Sequence, residues 1–304
     1  MIPEYTILGS LAIPLIGSIF ILLTGKSPNL REAVTLSTAI IMFLCVGSLT
    51  HVITSGGRPS ISLFEIFPGI DLKFTVEPLG MLFALIASGL WIVTSIYAIG
   101  YMRGNNESNQ TRFYFFFAIA LSSTVGIAFA GNLFTLFIFY EILTLSTFPL
   151  VTHAGTEAAK QGGRTYLGIL LSTSIGFLLL AIIWTWSLTG TLDFKPGGIL
   201  SGKVEGPMVG VLLFLFMFGT GKAALMPIHR WLPAAMVAPT PVSALLHAVA
   251  VVKAGVFTVL KIVIYVFGID FLSDSGMNVW LMWVAAITLL FASVLSGTSV
   301  LFFP

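Results

Sequence analysis

The sequence predicts an all-α integral membrane protein of about nine transmembrane helices, one of them broken. Three observations predict it. Of 304 residues, 57% are hydrophobic and only 9% are charged, whereas a soluble domain carries about 25% charged residues. A core of this size cannot hide so much apolar surface, so lipid must cover it. The apolar residues come in runs of roughly 20, the length that crosses a hydrocarbon layer. Finally, one stretch holds four prolines within an otherwise apolar region.

The chain opens MIPEYT, with no Lys or Arg ahead of the first apolar run and no small-residue cleavage site. The run at 5–24 is therefore expected to be a retained span and not a signal peptide. Further runs lie at 33–54, 79–101, 113–130, 132–151, 165–188, 207–227, 241–267 and 278–300. The gap from 55 to 78 contains GGRPSISLFEIFPGIDLKFTVEP, short β-prone stretches between Gly and Pro turns, and reads as an extramembrane hairpin. This divides the chain into residues 1–78, two helices plus an outer hairpin, and residues 79–304, a transmembrane core. Gly131-Asn132 marks a tight turn between two spans. Cys45, the lone cysteine, sits in an apolar run, reads as packing, and excludes disulfide and thiolate-metal frameworks.

Loop cations set the orientation. With the N-terminus outside, the inner loops carry Lys26, Arg31, Arg103, Arg112, Lys160, Arg164 and Arg230, and the outer loops carry Arg58, Lys73, Lys195 and Lys203. That bias places the chain as a multi-pass protein of the inner (plasma) membrane with its N-terminus outside. The net charge of +2 is small and the basic residues are scattered, which argues against nucleic acid as a partner.

Subtracting the loop charges leaves the informative residues. Of 12 carboxylates, Glu141 alone falls inside an apolar run, NLFTLFIFYEILTLSTFPLV. Lys222, Lys253 and Lys261 are the intramembrane cations, and His247 joins them. A charge at mid-bilayer costs ~2.5–3.5 kcal/mol on insertion scales, so such residues normally face a protein interior or a water-filled path. Each also has a plainer reading. Glu141 can bond neighbouring hydroxyls such as Thr144 and Ser146; Lys222, near Pro227, can snorkel; His247 alone can be a core histidine. Lys261, eight residues beyond Lys253 and roughly 12 Å nearer the surface, is expected to snorkel. Lys253, nearer mid-run, is least able to escape. A proton crossing an apolar barrier needs groups that can be charged or neutral at similar cost, which Glu, Lys and His provide.

In GTGKAALMPIHRWLPAAMVAPTPVSALLHAVAVVKAG, Pro227, Pro233, Pro239 and Pro241 fall close together. Proline removes a backbone donor, and broken helices persist at membrane depth only where protein or a wet cavity satisfies the freed groups. The segment from about 227 to 240 is expected to interrupt the seventh span, with His229, Arg230 and Trp231 anchored at the inner interface.

These residues resemble the antiporter-like subunit family: the proton-channel subunits of NADH-quinone oxidoreductase (complex I), the Mrp-type Na⁺/H⁺ antiporter subunits, and related membrane-bound hydrogenase subunits. PxHxWLPxAMxxPTPVSALLH carries the resemblance most specifically. NLFTLFIFYEILTLSTFPLV is similar to the family's glutamate-bearing fifth helix and EPLGMLFALIASGLWIVTSIYAIGYM to its third. The likeness runs from about residue 60 to 295. It implies that Glu141 pairs with Lys222 of the broken seventh helix, and that His247 and Lys253 are the polar positions of the eighth. It implies partners that are other membrane subunits, with H⁺ or Na⁺ as the ion.

The family usually has about fourteen helices in two inverted repeats. The present chain reaches VLSGTSVLFFP where the second repeat is expected, so it corresponds to the first half-channel. A translocating subunit, a non-conducting scaffold and a stand-alone transporter of an organic solute remain open, the last disfavoured by a polar set that suits protons better than a shaped pocket. No Cys cluster or dinucleotide-binding fingerprint is present, so no cofactor and no catalytic site of the chain's own are expected, and redox chemistry belongs to other subunits.

Overall fold

Long apolar runs satisfy their backbone internally by coiling, since lipid offers no hydrogen bonds. The computed structural model describes residues 3–302, with side chains through Val294. The chain begins with α1 (Pro3–Leu23), α2 (Pro28–Ser48) and the short α3 (Thr50–Thr54). The hairpin follows as β1 (Ser60–Phe67) and β2 (Ile70–Thr75), antiparallel, with Ile61 opposite Phe74. Gly69 turns it at φ 78°, a value that glycine adopts without strain. Then come α4 (Pro78–Gly104), α5 (Gln110–Phe129), α6 (Leu133–Val151), α7 (Glu157–Thr173), a π-helical turn (Ser174–Leu178) and α8 (Leu179–Thr189). Asn132 and Thr156 cap α6 and α7 by accepting from the amides of Thr135 and Ala159.

The remainder is more broken. α9 (Pro207–Gly219) gives way to 3₁₀ turns at Gly221–Ala223 and Ile228–Arg230, then to α10 (Trp231–Ala235) and α11 (Thr240–Ala244). A π-helical turn (Leu245–Val249) leads into α12 (Val251–Lys261), a second follows at Ile262–Phe267, and α13 (Ile269–Ser275) and α14 (Val279–Phe302) complete the order.

Among the described residues seven helical spans are long and apolar enough to cross a membrane, or eight if α13 and α14, bent by 101°, are one. The expected nine is corrected at two places. The run 207–227 is apolar throughout, but only 13 of its residues form α9, about 20 Å of helix. Gly219 and Gly221 bring the chain against Leu178 and Thr173, and the helix ends there, ahead of Pro227. The last run is joined to α13 at a sharp bend.

The hairpin is stitched to the bundle. Phe74 bridges Ala130, Asn132 bridges Asp193, and the Gly131 amide donates to the Lys73 carbonyl at 2.8 Å. The α5–α6 turn therefore lies at the hairpin end. At the opposite end Glu32 is held by both Arg31 and Arg103, and Arg31 also donates to Gln110 at 2.7 Å. Arg31, expected in an inner loop, is buried, as is Glu32. Apolar side chains such as Ile16, Phe20, Leu44, Val93 and Ile183 face outward, which is where lipid would lie. Cys45 packs between α1 and α2, its thiol 3.5 Å from the Thr6 carbonyl.

Candidate functional site

The bundle's interior is polarised where the broken segment after α9 meets α6. Lys222 lies in the 3₁₀ turn and has no exposed surface. Its Nζ donates to Thr144 Oγ1 at 2.6 Å and to the Tyr140 carbonyl at 2.8 Å, and sits 3.1 Å from the centre of the Tyr140 ring. Cation–π and carbonyl contacts stabilise an ammonium withdrawn from water. Lys222 thus points inward and does not snorkel.

The turn that presents it is fastened from several sides. The Lys222 amide donates to the Tyr140 hydroxyl at 3.0 Å, and Trp231 Nε1 donates to the Gly221 carbonyl at 2.9 Å. Trp231 is fully buried and stacks edge-on against Tyr166, whose hydroxyl meets Thr147 Oγ1 at 2.6 Å. The expectation that Trp231 anchors at the interface is therefore corrected: its indole supports the broken turn. Gly255 of α12 lies directly against the backbone of Lys222 and Ala223, where a Cβ would collide. α12 can approach the turn so closely because glycine has no side chain there.

Glu141 follows Tyr140 on α6. Both carboxyl oxygens are buried, and neither has a hydrogen-bond partner among the described residues. Thr144 and Ser146 turn back to the carbonyls of Tyr140 and Leu143, so they do not satisfy it. Lys222 and Glu141 are neighbours close enough to interact electrostatically, yet the lysine's direct contacts are Thr144 and Tyr140. His247 sits within the first π-helical turn, a feature that often accompanies functional positions, and its Nε2 is buried without a partner. Lys253 is placed differently: it is exposed on the side of the bundle, in an apolar groove of about 300 Å³ with Leu79, Leu82, Phe83, Ile86 and Val256. Of the prolines, Pro239 precedes α11 and Pro241 lies in its first turn, Pro233 is in α10, and Pro227 follows a cis peptide bond.

Lys261 departs most from its expected place. It has no exposed surface, donates to the Ala130 carbonyl at 2.5 Å, lies over the Phe194 ring at 4.4 Å and pairs with Glu77 at 3.4 Å. The snorkelling expectation is thus corrected. A signal for Glu77 exists in the sequence: it immediately precedes Pro78, at the N-cap of α4. Among the described residues no cluster of three or more His, Cys, Asp or Glu converges.

The family described as NADH:quinone oxidoreductase/Mrp antiporter, TM matches residues 130–299, more than half of the chain. Curated relatives include "Putative antiporter subunit mnhA2" of Staphylococcus aureus strain USA300, 30% identical over 289 residues, 94% of this chain. The chain spans about a third of that relative's length, 32%. Among solved structures it is similar to a chain of the Mrp complex from Dietzia sp. DQ12-45-1b, with TM-score 0.66 and 26% identity over 83% of this chain and 27% of that one. It shares its fold with a chain of the membrane-bound sulfane sulfur reductase, an archaeal respiratory membrane complex, with TM-score 0.70 and 24% identity over 82% and 51% of the two chains.

Proposed function

The chain belongs to the NADH:quinone oxidoreductase/Mrp antiporter transmembrane family, and from that premise we propose that it moves protons, or Na⁺, as part of a multi-subunit complex in the inner membrane. It is a multi-pass membrane protein. The observation that carries the reading is Lys222. A fully buried lysine in a break between helices, beside a carboxyl that no protein group binds, is costly to keep and is a functional residue by default.

In this reading Lys222 holds a proton against Tyr140 and Thr144. Glu141, one residue from Tyr140 on α6, sets how tightly it is held. His247 and Lys253, on the segment that packs on the Lys222 turn through Gly255, extend the relay. The exposed side of Lys253 is where the path would leave this chain for a neighbour. The hairpin end then faces outward, and redox or antiport chemistry resides in partner subunits.

The test is ion transport by the whole complex in sealed vesicles. Lys222→Ala and Lys253→Ala should each lower transport per assembled complex. Wild-type transport in both would leave the chain as a scaffold.

A further inference from the structure

Lys261 and Glu77 stand outside the relay just described, at the hairpin end of α12. We propose that they form a second proton-exchanging pair, through which the relay communicates with that end of the bundle; the inference rests on the relay reading. Lys261 reaches no solvent, and its Nζ lies 3.4 Å from Glu77 Oε2 and 2.5 Å from the Ala130 carbonyl oxygen. A lysine this close to a helix end ordinarily extends to the interface. Here the ammonium is turned inward, onto the Ala130 carbonyl and beside the Glu77 carboxylate.

The pair is graded toward solvent. Side-chain exposure rises from 0% at Lys261 to 10% at Glu77, and then to 30% and 49% at the neighbouring Lys73–Asp193 pair. The α5–α6 turn connects the two pairs, since Ala130 accepts from Lys261 and the next residue, Gly131, donates to the Lys73 carbonyl. Phe194, whose ring lies under the Lys261 ammonium, follows Asp193 and donates its amide to Gly131. Toward the interior, Lys261 shares the buried face of α12 with Thr258 and Ala254, beside Gly255 on the Lys222 turn.

The chemistry balances within the pair. Carboxylate and ammonium exchange one proton to give carboxylic acid and amine, with no change in net charge. A proton arriving from the hairpin end adds to the Glu77 carboxylate, leaving acid and ammonium. A proton passing inward leaves from Lys261 to give acid and amine, and transfer of the Glu77 proton to the amine restores carboxylate and ammonium. At rest the pair is neutral overall, and only the acid–ammonium state that carries the transferred proton holds a net buried charge.

A purely mechanical role is the competing account, because Lys261 ties α12 to α4 and to the α5–α6 turn. Two variants separate the accounts. Lys261→Arg keeps the positive charge beside Glu77 and a donor for the Ala130 carbonyl but holds its proton permanently. The double variant Glu77→Gln with Lys261→Met removes both charges at nearly constant volume. Each is expressed in the full complex, and proton flux into sealed vesicles is divided by the amount of assembled complex. The expected result is assembly in both with flux lower by about a hundredfold or more, the scale of losing one proton-transfer group. Normal flux in either assembled variant, or failure of both to assemble, assigns the pair to structure and overturns the proposal. Lys222→Ala in the same vesicles separates the two readings. Lost flux there with normal flux in Lys261→Arg removes only the pair; normal flux in Lys222→Ala removes the relay itself.

Discussion

Lys222 Nζ donates to Thr144 Oγ1 at 2.6 Å, so the side chain on α6 that receives the buried lysine is a hydroxyl one turn along from Glu141. The hydroxyl in turn donates to the Tyr140 carbonyl. Thr144→Val keeps the shape and removes the acceptor. A hydrogen bond to a charged group contributes about 1.5–3 kcal/mol; a thermal-unfolding loss of that order and lower transport are expected. Thr144→Ser should restore both. Wild-type stability and transport in Thr144→Val would mean that the Tyr140 carbonyl and ring suffice.

Gly255 supports the same turn sterically. A Cβ there meets the backbone of Lys222 and Ala223, whereas Gly168 of α7 has nothing within 4 Å of its Cβ position. Overpacking against backbone costs about 1–3 kcal/mol. Gly255→Ala is expected to lower stability by that order and to depress transport, while Gly168→Ala changes neither. Equal behaviour of the two variants in paired melting and flux assays would show that α12 does not bear on the lysine.

At the end opposite the hairpin, Glu32 is shared by Arg31 and Arg103, with Arg103 also donating to Asn29 at 2.6 Å. Removing the common acid leaves Arg31 buried and uncompensated. Breaking a buried pair this way costs about 3–5 kcal/mol. Glu32→Ala should therefore destabilise much more than Lys160→Ala, which breaks only the exposed pair with Glu157, worth about 0–1 kcal/mol. Detergent-melt curves of the two variants decide it.

His153, in the turn after α6, is 2% exposed. Burial, and then the Arg112 guanidinium, hold its pKa below the ordinary 6.5; Glu107 and the Ser108 backbone oppose them. The unfolded chain therefore binds the proton first as pH falls. The contribution to stability is complete above 6.5 and declines as pH drops from there toward the lower folded-state value. Melting temperatures between pH 7.5 and 5 should fall in the wild type and fall less in His153→Gln; parallel curves would remove His153 as the cause.

What sequence reasoning makes legible follows from which forces are local. Runs of apolar residues and the hairpin's Gly-Pro punctuation act over a few positions, so the spans and β1–β2 can be read directly. Glu141 and Lys222 stand out because each is a charge in an apolar run. The end of α9 at Gly219 is not legible in this way, since it depends on Leu178 and Thr173, brought close by the fold. Lys261 fails for the same reason. Its distance from the surface suggests snorkelling, while Ala130 and Glu77, remote in sequence, supply the acceptors that keep it inside. Tyr140 is missed, and Thr144 is assigned to Glu141 and not to Lys222, because their part is to receive a lysine from another segment.

Glu141 gives the sharpest separation of transport from stability. Its carboxyl oxygens are buried and bound by no protein donor, so removing the carboxylate breaks no protein hydrogen bond. A carboxylate kept for structure would show the opposite pattern, as Glu32 does. Removing one partner of a buried charge pair strands the other unless that group can shed its charge, and Lys222, unlike Arg31, can give up its proton. Glu141→Leu should therefore assemble and melt within about 1 kcal/mol of the wild type. Its transport should be lost, because the charge that acts on Lys222 is gone and the lysine's hold on its proton changes. Glu141→Asp, which keeps the acid on a shorter stem, should retain part of the flux. Measuring melting and proton flux on the same preparations decides the matter. Unimpaired flux in Glu141→Leu would separate Glu141 from the transport path, and lost assembly in that variant would return it to a structural role.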